Sequence, residues 1–261
     1  MNNEHNSINS YPQLAQNHGV ILPSLLACDF ANLEHDIREL EAAGVQALHL
    51  DIMDGHFVPN LSFGVPVVEA VRKVTDLVLD VHLMLSDPEP YFPVFKKAGA
   101  DGITFHVEAI ADLEAPGYNF ARKGCSVQEM TSLENLQNHV ENALSSIHNL
   151  GAAAGLSIIP LTDVSILAPW LPLCDNILIM SVMPGFGGQA FDPSSPQKLQ
   201  WLRENAPKST LRSVDGGVNE KTLLQCKHSG GTGLVMGTAI FRGNQIQTQF
   251  HKLNQILQDE S

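Results

Sequence analysis

From Val20 onward, short apolar segments alternate with longer amphipathic ones, and this alternation is the strongest constraint on what the chain can fold into. The apolar segments predict β-strands and the amphipathic segments predict helices. Residues 32–43, for example, carry apolar side chains at helical spacing and are followed by Gly44, a residue typical of a helix C-terminus. Regular strand–helix alternation predicts a parallel sheet covered by helices.

The number of strand–helix units helps to choose between the common parallel architectures. The sequence contains eight such units, although a doubly wound open sheet would also satisfy the alternation. The polar motifs described below fall at the predicted carboxyl ends of strands, and 261 residues is close to the usual length of a (β/α)8 barrel. The sequence therefore predicts an α/β fold with a single (β/α)8 barrel, also called a TIM barrel.

Two segments depart from this pattern. Residues 1–18 are polar and rich in Asn, and we expect them to form a flexible N-terminal tail before a catalytic barrel domain over 19–261. Residues 110–132 form a long insertion of mixed polarity after the fourth predicted strand. Loops of this length are usually either functional or surface decorations, and the sequence leaves both roles open.

The chain is acidic, with 28 Asp and Glu residues against 15 Lys and Arg residues and a formal net charge of -13. Such a surface repels nucleic acid and anionic lipid, so we expect neither nucleic acid nor a membrane as a partner. A phosphate site on this protein would need a metal ion, a helix N-terminus or backbone N–H groups to hold the anion.

The composition also predicts a cytoplasmic location. No stretch approaches the roughly 18 consecutive apolar residues of a transmembrane helix, and the polar N-terminus lacks the basic start and apolar run of a signal peptide. The cysteines are widely scattered, which predicts free thiols in a reducing compartment. They are Cys28, Cys125, Cys174 and Cys226.

Polar residues within apolar strands predict a metal site. His49 and Asp51 are two residues apart on one predicted strand, so their side chains point to the same face. His82 lies on the next strand and Asp215 ends the seventh, and in a barrel such strand ends meet at the C-terminal face. A lone His on a strand is more often a hydrogen-bonded core residue. Four such polar residues at strand ends instead favour one divalent metal ion per subunit. Two His and two Asp ligands suit Zn²⁺, Fe²⁺, Mn²⁺ or Co²⁺.

Glycine clusters follow the sixth, seventh and eighth predicted strands. Glycine lets backbone N–H groups approach an anion closely, and phosphate sites in barrels often use the loops after the last two strands. Each cluster alone is as consistent with an ordinary flexible loop, but together they predict a phosphate cradle of backbone groups. The residues concerned are Gly185, Phe186, Gly187, Gly188, Gly216, Gly217, Gly237 and Thr238.

With these residues assembled, the sequence resembles the ribulose-phosphate 3-epimerase family from Ile21 to about Arg242, apart from 110–132. The motifs that carry the resemblance are PSLLACDF, HLDIMDGHFVPN, DVHLML, MSVMPGFGGQ, VDGG and GTAI. The resemblance implies metal-dependent epimerisation at C3 of a phosphorylated ketose through an enediolate, with D-ribulose 5-phosphate and D-xylulose 5-phosphate as the expected pair. This reaction belongs to the pentose phosphate pathway. The resemblance also implies a homo-oligomer.

The resemblance further implies a role for each matching residue. His49, Asp51, His82 and Asp215 would hold the metal, and the two aspartates would also be the catalytic acid and base. Met53, Met84 and Met180 match methionines that line the active site, although core packing explains them equally well. The residues implied to bind substrate are Ser24, His82, Gly185, Phe186, Gly187, Gly188, Asp215, Gly216, Gly217, Gly237 and Thr238.

Departures from the family pattern keep alternatives open. Ser213 stands where the family pattern leads us to expect Glu, and Thr238 replaces a more usual Ser. With the insertion, these changes are compatible with a sister epimerase acting on another ketose phosphate, such as D-allulose 6-phosphate. A non-catalytic sugar-phosphate-binding barrel is a third hypothesis, which the presence of both Asp51 and Asp215 disfavours.

Overall fold

The computed structural model describes residues 11–16, 19–111, 133–243 and 245–259. Eight parallel strands form one sheet in the order β1-β8-β7-β6-β5-β4-β3-β2. This nearly closed sheet with interleaved helices is the (β/α)8 barrel that the alternation predicts. The strands are β1 Val20–Pro23, β2 Ala47–Met53, β3 Val78–Met84, β4 Gly102–His106, β5 Ala153–Ile158, β6 Asn176–Met180, β7 Leu211–Asp215 and β8 Gly233–Met236.

Helices follow the strands along the chain. Three short segments are 3-10 helices, at Leu25–Ala27, Glu89–Tyr91 and Val164–Leu173. Within the described ranges, none of the helices is both long and apolar enough to cross a bilayer. The α-helices are α1 Tyr11–Gln16, α2 Leu33–Ala42, α3 Val65–Val74, α4 Phe92–Ala98, α5 Val107–Ala111, α6 Leu133–Asn149, α7 Ser195–Asn205, α8 Leu223–His228, α9 Thr238–Phe241 and α10 Ile246–Asp259.

The strands read as near-continuous apolar runs because both of their faces are buried. All seven residues of β2 are buried. Leu48, Leu50 and Ile52 belong to the large hydrophobic core that includes the buried faces of the helices. His49 and Asp51 alternate with them and therefore point into the barrel. The pleat of the strand thus separates the residues that stabilise the fold from those that form the site.

The barrel closes between its first two strands. β2 and β3 pair through seven register positions, whereas β1 and β2 are joined by an isolated parallel bridge between Ser24 and His49. Ser24 ends the extended backbone of β1 and begins the first 3-10 helix, where its hydroxyl accepts a hydrogen bond from the N–H of Leu26. Closure therefore brings Ser24 beside the predicted metal ligands.

The segment expected to be a flexible tail, residues 1–18, contains a helix at residues 11–16. These residues form α1, in which Tyr11, Leu14 and Ala15 are buried. They pack with side chains of the barrel interior such as Leu22 and Val78, because the interior is lined by small and apolar residues at this level. Residues 1–10 lie outside the described part of the chain.

The predicted insertion also falls largely outside the described residues. α5 continues through Ala111, and α6 begins at Leu133. Among the described cysteines, Cys28, Cys174 and Cys226 are free thiols, as the scattered spacing predicts. Cys125 belongs to the part of the chain that the structure does not describe.

Candidate active site

A cavity of about 710 Å³ opens at the carboxyl ends of the strands. Its walls come from the carboxyl ends of β2 and β3 and from the loops after β1, β6, β7 and β8. Most of the sequence-predicted site residues line it, whereas His49 and His82 are fully buried beneath it. The predicted residues in the walls are Ser24, Asp51, Met53, Met84, Met180, Gly185, Phe186, Gly187, Gly188, Asp215, Gly216, Gly217, Gly237 and Thr238.

The four predicted metal ligands form one cluster. His49, Asp51, His82 and Asp215 each offer one ligand atom, and these atoms all lie within 4.8 Å of one another. Asp51 on β2 stands directly beside His82 on β3 in the strand register, and Asp215 ends β7 across the barrel. Three strands therefore converge on one point, as the sequence pattern predicts.

His49 is oriented by an aspartate that the metal-site prediction did not include. Its Nδ1 lies 2.7 Å from Oδ2 of Asp80, a carboxylate on the neighbouring strand β3. This partner holds the proton on Nδ1 and directs Nε2 towards the cluster. Nε2 lies 3.2 Å from Oδ1 of Asp51, yet it is buried and has no hydrogen-bond partner among the described residues.

His82 is oriented by a second chain of polar groups. Its Nδ1 lies 3.1 Å from Oδ1 of Asp51, and its Nε2 lies 2.9 Å from Nε2 of His106 on β4. His106 in turn places Nδ1 3.2 Å from Oε2 of Glu108. With a cation at Nδ1 of His82, the Nε2 proton points to His106, and the Nδ1 proton of His106 points to Glu108.

Glu108 is itself anchored at the end of the barrel. Its Oε1 accepts a hydrogen bond of 2.9 Å from the N–H of Ile159 and one of 2.5 Å from the hydroxyl of Thr162. Burial raises the pKa of the Glu108 carboxyl, but its interactions with His106 and its hydrogen bonds from Thr162 and Ile159 together outweigh burial and lower this pKa below its usual value. Glu108 is therefore a buried anion that fixes the His106 ring.

The titration of the cluster is set by burial and by its own charges. Burial lowers the pKa of His49, but the carboxylates of Asp51 and Asp80 outweigh it and raise this pKa well above its usual value. Burial raises the pKa of Asp51, but His49 and His82 outweigh it and lower this pKa well below its usual range. Burial and the charge of Asp51 raise the pKa of Asp215 to about 7.

These observations fit a divalent cation. Without a metal, the negative cluster keeps a proton on His49 and raises the pKa of Asp215, so protons occupy the place of a cation. A neutral His49 with its proton on Nδ1 would present the lone pair of Nε2 towards an oxygen of Asp51, which is repulsive unless a proton or a cation lies between the two atoms. Two imidazoles and two carboxylates are suitable ligands for Zn²⁺, Fe²⁺, Mn²⁺ or Co²⁺.

The loop after β2 is held by Asp54, the second aspartate of the HLDIMDGHFVPN motif. Its Oδ1 accepts hydrogen bonds of 2.8 Å from the N–H groups of His56 and Phe57, and its Oδ2 accepts bonds from the N–H and hydroxyl of Ser86 after β3. Asp54 therefore joins the loops after β2 and β3 at the C-terminal end of the barrel. Its motif position reflects loop structure, whereas that of Asp51 reflects the metal cluster.

The turn after Asp215 requires glycine. Gly216 and Gly217 have φ values of 111° and 64°, which an L side chain rarely adopts. A Cβ on Gly216 would also overlap Val182. The hydroxyl of Ser181 lies 2.9 Å and 2.5 Å from the carbonyl oxygens of Asp215 and Gly216 and shares its one proton between them, which fixes this turn against β6.

The Gly185–Gly188 loop is tied to its surroundings by side-chain amides. Gln189 donates hydrogen bonds of 2.6 Å to the carbonyl of Met183 and 2.8 Å to that of Phe186. Asn60, from the loop after β2, donates one of 2.6 Å to the carbonyl of Gly185. Among the described wall residues, Arg242 after α9 is the only Lys or Arg, and it supplies positive charge at the end of the cavity rich in glycine.

The predicted site did not include Asp80, His106, Glu108 or Arg242. The first three were recognisable only as polar residues in or next to apolar strands, because their partners lie on other strands and the register is not visible in one sequence. Arg242 is the second residue after the GTAI motif, so its nearness to the glycine loops was a usable signal. The three methionines line the cavity and are also buried in the core, so the active-site role and the packing role are both compatible with their positions.

The fold and the site together define a class, namely TIM-barrel proteins whose C-terminal face carries a possible divalent-metal centre made of two His and two Asp residues. The model of the Ribulose-phosphate 3 epimerase family matches residues 20–128 and 118–241. The chain belongs to this family.

Individual relatives agree with the family match. The ribulose-phosphate 3-epimerase of Synechocystis sp. is 38% identical over 225 residues, which cover 85% of this chain and 87% of that protein. The ribulose-phosphate 3-epimerase of Bacillus subtilis is 37% identical over 225 residues, which cover 85% of this chain and 91% of that protein. Both alignments include most of the barrel.

A solved structure supports the fold alone. The 3-hexulose-6-phosphate synthase of Salmonella typhimurium superposes with a TM-score of 0.63 at 12% identity, covering 93% of this chain and 100% of that chain. At this identity the likeness confirms the TIM barrel and carries no argument about chemistry.

Proposed function

We propose that this protein epimerises C3 of a phosphorylated ketose, interconverting D-ribulose 5-phosphate and D-xylulose 5-phosphate. The observation that carries the proposal is the pair Asp51 and Asp215, two carboxyls in one buried cluster whose environments drive their pKa values in opposite directions. Such divergence is the usual mark of an acid and a base that act together. The names of the relatives from Synechocystis sp. and Bacillus subtilis support the same substrate.

The reaction removes a proton from the carbon next to a carbonyl and returns a proton to the opposite face. Asp51, held as an anion by its histidine neighbours, accepts a proton on one side of the substrate, and Asp215 donates one on the other side. The reverse reaction exchanges these roles. A bound divalent cation supplies Lewis-acid stabilisation of the charge that develops on the substrate oxygens.

Other residues of the wall would orient the substrate. Ser24 donates a hydrogen bond of 2.6 Å to Oδ2 of Asp51, which aims that carboxylate and leaves the hydroxyl beside the cavity. The glycine loops would receive the phosphate through backbone N–H groups, with Arg242 supplying the countercharge. Met53, Met84 and Met180 surround the reacting end with side chains that neither accept nor donate a proton readily.

The alternative substrate finds no support at Ser213. Its hydroxyl donates a hydrogen bond of 2.7 Å to Asn176 inside the barrel, and Ser213 is absent from the described cavity wall. A sister activity on D-allulose 6-phosphate therefore remains an outcome of the substrate test. An enzyme for D-ribulose 5-phosphate and one for D-allulose 6-phosphate would use the same phosphate cradle and the same two-carboxyl chemistry.

We also propose the setting in which the enzyme works. Residues 19–261 would act as a single catalytic domain in the cytoplasm, as the scattered free thiols favour. A homo-oligomer is supported by large exposed apolar side chains such as Leu61 and Phe30, which are 71% and 51% exposed. Light scattering on the purified chain measures the oligomeric state directly.

The test is proton NMR in deuterium oxide on a panel of ketose phosphates, with and without a chelator. We expect the C3 proton of D-ribulose 5-phosphate to exchange fastest, the epimer to accumulate, and the chelator to stop both. Faster turnover of another ketose phosphate would move the substrate assignment. A folded, metal-loaded protein that exchanges no C3 proton in the panel would contradict the epimerase proposal.

A further inference from the structure

The N-terminal end of the barrel is filled by a segment that lies before the first strand. Tyr11 and Leu14 of α1 are 4% and 1% exposed and belong to one buried cluster with Leu22, Val78 and Leu178. These partners lie on β1, β3 and β6. The helix therefore packs across the interior of the barrel.

The ring of Tyr11 occupies space that a glycine leaves open. A Cβ added to Gly102, the first residue of β4, would overlap the Tyr11 ring. Glycine weakens a strand interior, so its presence at this point is explained by the close approach of the aromatic side chain. The pairing of Tyr11 with Gly102 indicates a defined position for the ring.

The hydroxyl of Tyr11 reaches a polar group that connects to the active site. It donates a short hydrogen bond to Oδ1 of Asp80, while Oδ2 of the same carboxylate lies 2.7 Å from Nδ1 of His49. Asp80 is 1% exposed, so each of its oxygens depends on a protein partner. A continuous chain of contacts therefore runs from Tyr11 through Asp80 to the ring whose Nε2 faces the metal cluster.

We infer that Tyr11 is a positioning residue for the metal centre, acting through Asp80 on His49. This inference rests on the proposed metal site. The family model matches from residue 20, so the segment that carries Tyr11 lies before the matched part of the chain. The N-terminal segment thereby adds a group that restrains the metal site from the opposite end of the barrel.

The physical basis is the orientation of a buried carboxylate. A histidine ligand is held in the correct tautomer and ring orientation by the acceptor at its other nitrogen, and that acceptor must itself be held. Burial and the charge of Asp80 raise the pKa of Tyr11 well above its usual value, so the phenol remains a donor at neutral pH. Without this donor, Oδ1 of Asp80 would be buried with an unmet bond.

The experiment measures Zn²⁺ affinity by competition with a chromophoric chelator. Tyr11→Phe removes the hydroxyl and keeps the ring against Gly102, and Tyr11→Leu is a second variant that fills the space without a hydroxyl. Tyr91→Phe, at a residue 46% exposed in the second 3-10 helix, is the matched control. Circular dichroism and the melting temperature of the metal-free proteins confirm that each variant is folded.

We expect Tyr11→Phe to weaken Zn²⁺ binding about tenfold and Asp80→Asn to weaken it about 10- to 100-fold, with no change in Tyr91→Phe. In the Asp80→Asn background, Tyr11→Phe should produce no further loss, because the effect passes through that carboxylate.

Either of two results would overturn the inference. One is unchanged or tighter Zn²⁺ binding in the folded Tyr11 variants, which would make α1 a packing element alone. The other is a full additional loss from Tyr11→Phe in the Asp80→Asn background, which would exclude the route through Asp80. A wild-type protein that binds no Zn²⁺ would instead overturn the proposed metal site itself. Zn²⁺ binding is measured without substrate, so this result is independent of whether the protein is an epimerase.

Discussion

The two ends of the barrel use the same residue type for different tasks. At the N-terminal end, Asp101 and Asp175 directly precede β4 and β6 and accept hydrogen bonds of 2.9 Å from the N–H groups of Leu79 and Ala154. At the C-terminal end, Asp51 and Asp215 face a cavity of about 710 Å³. Each of the first two also pairs with a side chain, Asp101 with Arg72 and Asp175 with His148. An aspartate that joins backbone N–H groups to a basic side chain stabilises the fold, whereas one in a cluster with more negative than positive charge can exchange a proton or bind a cation.

The largest effect should come from the two aspartates that face the cavity. We expect Asp215→Asn, which removes the exchangeable proton, to lower kcat about 10²- to 10⁴-fold without loss of fold. Both substitutions remove a charged metal ligand, and Asp51→Asn should do at least as much because Asp51 also contacts both His49 and His82. Steady-state kinetics with a coupled assay measure the loss, and Asp259→Asn at the exposed end of α10 is the control. Near-normal kcat in either variant would contradict the two-carboxyl mechanism.

At the N-terminal end of the barrel, a substitution should change the stability of the protein and not its catalysis. Leu14→Ala removes a fully packed side chain from α1, so we expect a loss of about 2–5 kcal/mol in the free energy of unfolding. At saturating metal and substrate, kcat of the folded protein should stay at the wild-type value. Urea unfolding of the metal-loaded protein measures the first quantity. An equal fall in kcat at saturating metal would show that this end also controls the chemical step.

The support of His82 provides a smaller effect. Oε1 of Glu108 accepts bonds from Ile159 and Thr162, and Oε2 faces His106. Glu108→Gln keeps the shape of the side chain but has one oxygen instead of two, so it cannot accept bonds from all three partners in the same way. We expect about tenfold weaker metal binding, measured by chelator competition, because the orientation of His106 and His82 is relaxed. Glu204→Gln on the exposed face of α7 is the control. Unchanged metal affinity in Glu108→Gln would show that His82 binds the metal without the support of His106 and Glu108.

The smallest effect should come from the exposed cation at the cavity. We expect Arg242→Ala to raise KM about fivefold and leave kcat unchanged, because an exposed charge contributes roughly 1 kcal/mol to holding a phosphate and is screened by salt. Lys73→Ala, at the other end of the barrel, should leave KM unchanged. The same KM in both variants over a range of salt concentrations would assign phosphate binding to the backbone loops alone.

Much of this molecule follows from its sequence. The barrel and the convergence of His49, Asp51, His82 and Asp215 were predictable because periodicity and strand ends determine them. The supports of those ligands were not, since Asp80 and His106 meet the ligands across strands whose register no single sequence reveals. Helix α1 was missed because it is short and lies next to a polar, Asn-rich segment, and its few apolar residues acquire meaning only against the barrel interior.

The isolated bridge between Ser24 and His49 gives the barrel a seam with few backbone bonds, and that seam runs through the active site. Local opening of a protein begins where cooperative bonding is sparse, so amide hydrogen exchange should be fastest among the strands along β1. A cation bound by β2, β3 and β7 would brace the barrel next to this seam. Occupancy of the site would then set how long the barrel resists opening, and the metal-free form would be the one exposed to proteolysis.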